Sequence, residues 1–291
     1  MRLAPVVFLA PALIMFAVFV VYPIIQSVRT SFYQWDGSGE MEPYGFGNYE
    51  ELILYDPEFW TAIVNNVYWL VFFMLAPVIG LAVALFLNQS VWGIRLVKSL
   101  FFFPLVISQV VVGLVFSWFY DPANGILNVV LGFFGMPSIS PLSSETYVTF
   151  AIIAAGLWPQ SAYCMILYLT GLNNIDLEQI EAGRLDGAKG WTMLWHIILP
   201  QLRPATFLAI VVTVIGALRS FDLVAIMTNG GPYDGGPHGS SSVLAFKMYK
   251  ESLLNHRVGY GAAVAVVLFL TMAVYITYVL TRTLRAERRA G

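Results

Sequence analysis

The sequence predicts an all-α integral membrane protein, with six transmembrane helices in a single domain over residues 1–291 and a short cytoplasmic helix between the fourth and fifth. Three observations carry this. Of the 291 residues, 58% are hydrophobic and only 11% are charged, where a soluble domain carries about 25% charged residues. Such a chain has too little polar surface to cover a globule, so lipid must be its solvent. Apolar runs recur at the length that a helix needs to cross the hydrocarbon core, roughly 20 residues. Finally, Lys and Arg collect on alternate connections between those runs.

Taken in order, no charge interrupts the chain between Arg2 and Arg29, which gives a first span near 5–26. A signal peptide has a shorter apolar core and a small-residue cleavage site, so this segment reads as an anchor. The following spans fall at about 62–88, 100–120, 146–171, 204–227 and 258–281. Pro77, Pro104 and Pro159 lie inside them and predict kinks, because neighbouring helices, hydroxyls and ordered water can take up the carbonyls that a proline frees.

With the N-terminus inside, Arg2, Arg95, Lys98, Arg184, Lys189, Arg203, Arg282, Arg285, Arg288 and Arg289 are cytoplasmic. Only Arg29, Lys247, Lys250 and Arg257 are external, with Arg219 near the outer end of the fifth span. Basic residues favour cytoplasmic loops, so this orientation, with both termini cytoplasmic, is the expected one. The loop after the first span is acidic and aromatic (Asp36, Glu40, Glu42, Glu50, Glu51, Asp56, Glu58), and the Pro/Gly-rich loop Gly230 to Gly239 is external too.

Composition also excludes functions. A net charge of −2 argues against nucleic acid as a partner, and three His with one Cys leave no disulfide framework and no basis for a structural zinc site. Cys164, inside an apolar run, reads as a small buried thiol. His196 falls in a cytoplasmic connector and His238 and His256 in external loops, so no catalytic constellation assembles within the bilayer. No G-x-x-x-x-G-K-[ST] loop is present to cradle ATP phosphates. This chain is expected to bind no cofactor.

The longest cytoplasmic connection is the segment 174–200. Asp176 with Gln179 three residues later fits a capping box, which starts a helix at Leu177. Ala182 and Gly183 leave one helix face bare for close approach by another chain. Gly187 takes a positive φ without strain and so ends the helix in a sharp turn. Trp191 to Leu199 is apolar and aromatic, suited to a connector at the membrane boundary, and Pro200 breaks it. From spacing alone this segment either seals the inner face of the bundle or docks a partner.

Glu181-Ala182-Gly183-Arg184-Leu185-Asp186-Gly187-Ala188, followed by Trp191, Leu194, Trp195, Ile197, Leu199 and Pro200, resembles the coupling signature of ABC-importer permeases: E-A-A, two residues, D-G-A, then an apolar stretch ending in I-x-L-P. Gly183 departs from the usual second alanine, and Asp176 stands where proline is usual. The resemblance assigns ATPase docking to Glu181, Ala182 and Gly183, turn geometry to Asp186 and Gly187, and places Ala188 in the same ATPase-coupling segment. It implies a type I importer permease driven by ATP and Mg on two separate cytoplasmic ATPase subunits.

A second pattern lies at the end of span five. Arg219 and Asp222, three apart, pair on one helix face or form a polar wall of a solute path. Phe221-Asp222, then Met227-Thr228-Asn229-Gly230-Gly231-Pro232, then Tyr249 and Gly259-Tyr260-Gly261-Ala262-Ala263, resembles carbohydrate-uptake permeases of the maltose and glycerol-phosphate type, first subunit. Phe8-Leu9-Ala10-Pro11-Ala12, Tyr22-Pro23 and Asn65-Asn66 fit the same group. The resemblance implies a sugar or sugar derivative as solute, a related second permease subunit, an extracytoplasmic solute-binding protein, and residence in the bacterial cytoplasmic (inner) membrane.

Sugars are held by aromatic faces and neutral hydrogen-bonding groups. Asn65, Asn66, Gln109, Ser117, Gln160, Ser161, Tyr163, Phe221 and Asp222 are therefore candidates for the solute path. Each of the polar ones could equally make a helix–helix hydrogen bond of about 0.6–2 kcal/mol. An importer of a non-sugar solute and an ion-coupled secondary transporter are the alternatives. The latter favours mid-membrane carboxylates and inverted repeats, and only Asp222, off-centre, and no repeat are found.

Overall fold

The computed structural model describes residues 4–89, 93–228 and 235–290. Helices long and apolar enough to span a membrane run over Phe8–Thr30, Pro57–Leu87, Val148–Asn173 and Val258–Val279. Two bent pairs, Ile94–Val106 with Gln109–Phe119 and Trp191–Gln201 with Arg203–Leu218, bring the number to 6 if each counts as one span. By length and composition these make four spans, or up to six, and the regions expected for the third and fifth are broken rather than straight.

The breaks have local causes. In the third, the two halves meet at 103°. The turn is not at Pro104, which stays inside its helix. It falls at Ile107, which is extended, and at Ser108, whose side chain accepts the Val111 N–H and so caps the second half. In the fifth, the 73° bend falls at Leu202, between Gln201 and Arg203, and the helix stops again at Leu218 before a new one starts at Asp222. Pro159 sits within a helix unbroken over 26 residues. Pro77 is close to a break: it offers no N–H to the Phe73 carbonyl, and the helix is interrupted between Phe73 and Leu75.

The described residues form two compact units, Met1–Ile63 with Leu244–Gly291, and Val64–Val243. In the second unit, Val148–Asn173 is the central helix, with Leu75–Leu87, Ile94–Val106, Gln109–Phe119 and Arg203–Leu218 packed on it. In lipid, close packing at small residues replaces the hydrophobic force between helices. Gly80 shows this directly, since a Cβ there would stand 2.6 Å from Cys164 Cβ and 2.8 Å from the Met165 amide. Gly171 plays the same part against Ala205, at 2.9 Å. Cys164 is buried and free, its Sγ 3.4 Å from Thr213 Oγ1.

In the first unit, helix Phe8–Thr30 is exposed over most of its length and buried only at Thr30. Tyr33–Gln34 pairs antiparallel with Glu42–Pro43. The unit is tied together by Lys247, only 1% exposed, which meets Asp56 at 2.7 Å and Glu58 and Glu251 at 3.5 Å. The Tyr260 hydroxyl donates to Asp56, and Arg257 pairs with Glu51 at 2.6 Å while lying over the Tyr260 ring. The Gly259-Tyr260-Gly261 triplet follows from this arrangement. A Cβ at Gly259 would strike the Tyr33 carbonyl, and one at Gly261 would strike the Ser252 side chain. Only glycine at both positions lets Tyr260 approach Asp56.

Burial pushes the Asp56 carboxyl up, but hydrogen bonds from Lys247 and Tyr260 outweigh it and leave the group below the usual carboxylate range. Burial likewise pushes Lys247 down, and its bond to Asp56 and the surrounding carboxylates leave it raised. The Asp56 contribution is present above its unfolded pKa of about 3.9 and is lost as pH falls through the folded value; that of Lys247 is present below about 10.4 and is lost as pH rises through its folded value. The cluster should hold between these limits. Lys247→Met leaves Asp56 without a cation, while Lys250 still meets Glu58 and Arg257 still meets Glu251, and removing one partner of a buried pair costs about 3–5 kcal/mol. The thermal midpoint of purified protein in detergent should drop sharply, and the drop should shrink as pH is lowered through the Asp56 titration.

Candidate functional site

The segment between the fourth and fifth spans forms a helix over Leu177–Leu185. Asp176 is its N-cap, accepting the Glu178 N–H at 3.0 Å, while Gln179 Nε2 donates to the Asp176 carboxylate at 3.4 Å rather than to its backbone. The Asp176 amide is held by Gln201 Oε1 at 3.0 Å. At the other end the Ala188 N–H donates to the Gly183 carbonyl at 2.8 Å and the Gly187 N–H to the Arg184 carbonyl at 3.1 Å. With Gly187 at φ +84°, this is the paired-bond, left-handed helix stop that favours glycine. Nothing lies within 4 Å of a Cβ built on Gly187, so its constraint is conformational and not one of space.

The two small residues part company. Ala182 is exposed beside exposed Glu181, but Gly183 is buried, and a Cβ there would collide with Ile197. The bare face expected at Gly183 is thus taken by the chain's own connector, Trp191–Met193 running into the π-helical Leu194–Ile198. Gly183 anchors the helix to that connector; Glu181, Ala182, Asp186 and Gly187 remain outward. Leu185 is 90% exposed, and Trp191 is exposed beyond it. Leu185 was missed in the sequence because it falls between the motif positions; its i+4 spacing from Glu181 was the available signal.

A second feature of the same unit is a cavity of about 340 Å³ that brings together Gln109, Gln160, Phe221 and Asp222 with Arg219 and Trp69. Gln109 opens the capped second half of the broken third span. Gln160 Nε2 donates to Thr213 Oγ1 at 3.0 Å, and its amide oxygen faces Gly216, whose missing side chain leaves room for it. Arg219 ends one helix and Asp222 begins the next. Their spacing of three therefore puts them on no common helix face, and among the described residues no ion pair joins them. Trp69 and Phe73, stacked edge-on at 4.7 Å, line the cavity and were not among the predicted path residues. Their i, i+4 spacing was visible but is shared by many apolar helices.

The other predicted path residues lie elsewhere. Asn65 donates to the Ser240 and Ser242 carbonyls at 2.7 and 2.8 Å and accepts from Thr149 at 3.2 Å, so it ties a buried loop in place. Asn66 is buried next to it in sequence. Ser117 donates to the Gly113 carbonyl of its own helix at 2.9 Å. Ser161 faces a separate apolar groove, and Tyr163 is exposed outside both hollows. Of the second sequence pattern, Asn229, Gly230, Gly231 and Pro232 lie outside the described residues, as does Arg2. The loop resumes at Gly235 and Gly236, both at positive φ, with the Gly235 N–H on Thr228 Oγ1 at 3.3 Å.

A polytopic helical bundle with a capped, outward-facing interspan helix and a polar cavity beside a broken span is the architecture of a membrane transport subunit. Residues 1–289 match the family of binding-protein-dependent transport system inner membrane components, and the chain belongs to that family. It is 33% identical to a "probable ABC transporter permease protein" of Pyrococcus horikoshii over 98% of this chain and 97% of that one. It is 32% identical to the sulfoquinovosyl glycerol transport system permease protein of Agrobacterium fabrum, over 98% and 92% of the two chains. Among solved structures, a bacterial ABC transporter involved in import of the acidic polysaccharide alginate superposes with a TM-score of 0.82 at 20% identity, covering 97% of this chain and 95% of that one. The chain is thus a permease subunit of a binding-protein-dependent importer.

Gly187→Val should impose backbone strain of about 1–3 kcal/mol and unwind the final turn of the Leu177–Leu185 helix. Hydrogen exchange at the Gly187 and Ala188 amides should accelerate while the spans exchange as before. Gly187→Asn, which tolerates the left-handed region, should show a smaller effect.

Proposed function

We propose that this chain is the transmembrane subunit of an importer for a sugar or sugar derivative in the bacterial cytoplasmic membrane, both termini cytoplasmic. It would be completed by a second, related permease and two cytoplasmic ATPase subunits that hold ATP and Mg, and fed by an extracytoplasmic binding protein. The observation that carries the reading is the Leu177–Leu185 helix. It is locked at both ends, seated on its connector through Gly183, and presents Glu181, Ala182 and Leu185 outward. A rigid element of this kind can pass the closing motion of a partner to the spans on either side, which is what coupling between distinct sites requires.

For solute class, support comes from the cavity, where the aromatic faces of Trp69 and Phe221 stand with the amides of Gln109 and Gln160. Relatives named for the transport of lactose (Rhizobium radiobacter) and sulfoquinovosyl glycerol point the same way. Broken helices lining a polar hollow are also how membrane transporters expose backbone and side-chain groups to a solute.

Uptake by the complete complex in reconstituted vesicles should need both ATP and the binding protein, and calorimetry of that protein against a sugar panel should identify the solute. Uptake without ATP, or a binding protein that takes no sugar, would refute the corresponding half of the proposal. Leu185→Asp should insert normally yet release the ATPase or uncouple its hydrolysis from the loaded binding protein. A cysteine at Arg289 should resist impermeant reagents applied to intact cells; labelling from outside would reverse the orientation.

A further inference from the structure

We propose that the Val64–Val243 unit binds one anionic diacyl phospholipid, its headgroup on Arg95 and Lys98 and an acyl chain in the apolar groove beside them. The groove has a volume of about 530 Å³ and is walled by Leu100, Phe101 and Pro104 on one helix, Ile79 and Val83 on a second and Trp158 on a third. It is separate from the polar cavity, on which Gln160 opens while the next residue, Ser161, opens on the groove.

Charge selects the occupant. Arg95 and Lys98 lie near the start of helix Ile94–Val106, and among the described residues neither has an acidic partner. Lys98 precedes Phe101 by three positions and so shares the helix face that walls the groove, one turn nearer the start of the helix than the lining residues. The preceding membrane helix ends at Leu87 and this one begins at Ile94, a connection short enough to hold both cations at a membrane boundary. Cations in the opening turns of a helix oppose its dipole, whereas a phosphate there is favoured by the dipole and by free N–H groups. Basic pockets between membrane helices bind anionic headgroups on the same grounds.

The inference rests on the membrane reading of these helices, not on which end faces the cytoplasm. The test is native mass spectrometry of the assembled transporter exchanged into dioleoyl phosphatidylglycerol or dioleoyl phosphatidylcholine. The wild type should retain phosphatidylglycerol preferentially, by roughly fivefold for each cation. Arg95→Gln with Lys98→Gln should bring the two lipids near parity, and Ile79→Trp, which fills the groove, should lose the lipid with both cations in place; the same spectra report whether the complex stays assembled. Equal retention of the two lipids by the wild type, or undiminished phosphatidylglycerol in the double variant, would overturn the proposal. So would a cross-link from Leu100→Cys to the second permease chain, which would make the groove a protein interface. Failed uptake with the lipid retained would count against the importer reading alone.

Discussion

Inside a bilayer no water is present to satisfy a peptide group, and no hydrophobic force draws one helix to another. Every other feature of the larger unit depends on how the Val148–Asn173 helix meets this constraint. Its neighbours come close enough for dispersion and weak polar contacts only where side chains are small, as at Gly80 against Cys164 and Gly171 against Ala205. Thr213 then reaches both Gln160 and Cys164, so the same contact that packs two helices also orients the amide of the polar cavity.

The same constraint explains where the backbone is irregular. Ile107 and Ser108 break the third span and residues 219–221 break the fifth, and Gln109 and Phe221, beside those breaks, line one hollow. Unpaired backbone is tolerated at membrane depth only where it is buried in protein or opens on a polar cavity. Interruption and cavity are thus one structural event, and the solute path is expected beside the breaks rather than along the smooth faces of the helices.

Outside the spans water competes for every polar group, and the chain uses denser interactions. The interspan helix is closed by a side-chain cap at Asp176 and a left-handed glycine at 187, which lets a segment with little apolar burial hold a single shape. The Lys247 cluster does the corresponding work in the other unit. There a fully buried cation is tolerable only because Asp56, Glu58 and Glu251 surround it.

The sequence by itself determined what depends on local chemistry. Apolar run length located the long apolar helices but not their breaks, whereas Asp176 marked the start of the interspan helix and Gly187 its end, because a cap and a positive φ are properties of single residues. The matching motifs also named the family. Tertiary structure alone decided which neighbours each residue meets. Gly183 met Ile197, Arg219 and Asp222 were separated by a helix break, and Asn65 tied the Ser240 to Ser242 segment in place. Gln160 and Ser161, adjacent in sequence, face different hollows. Long-range packing sets these outcomes: in a chain that is 58% hydrophobic, apolar pattern shows that a helix is embedded but barely distinguishes a face that meets lipid from one that meets another helix.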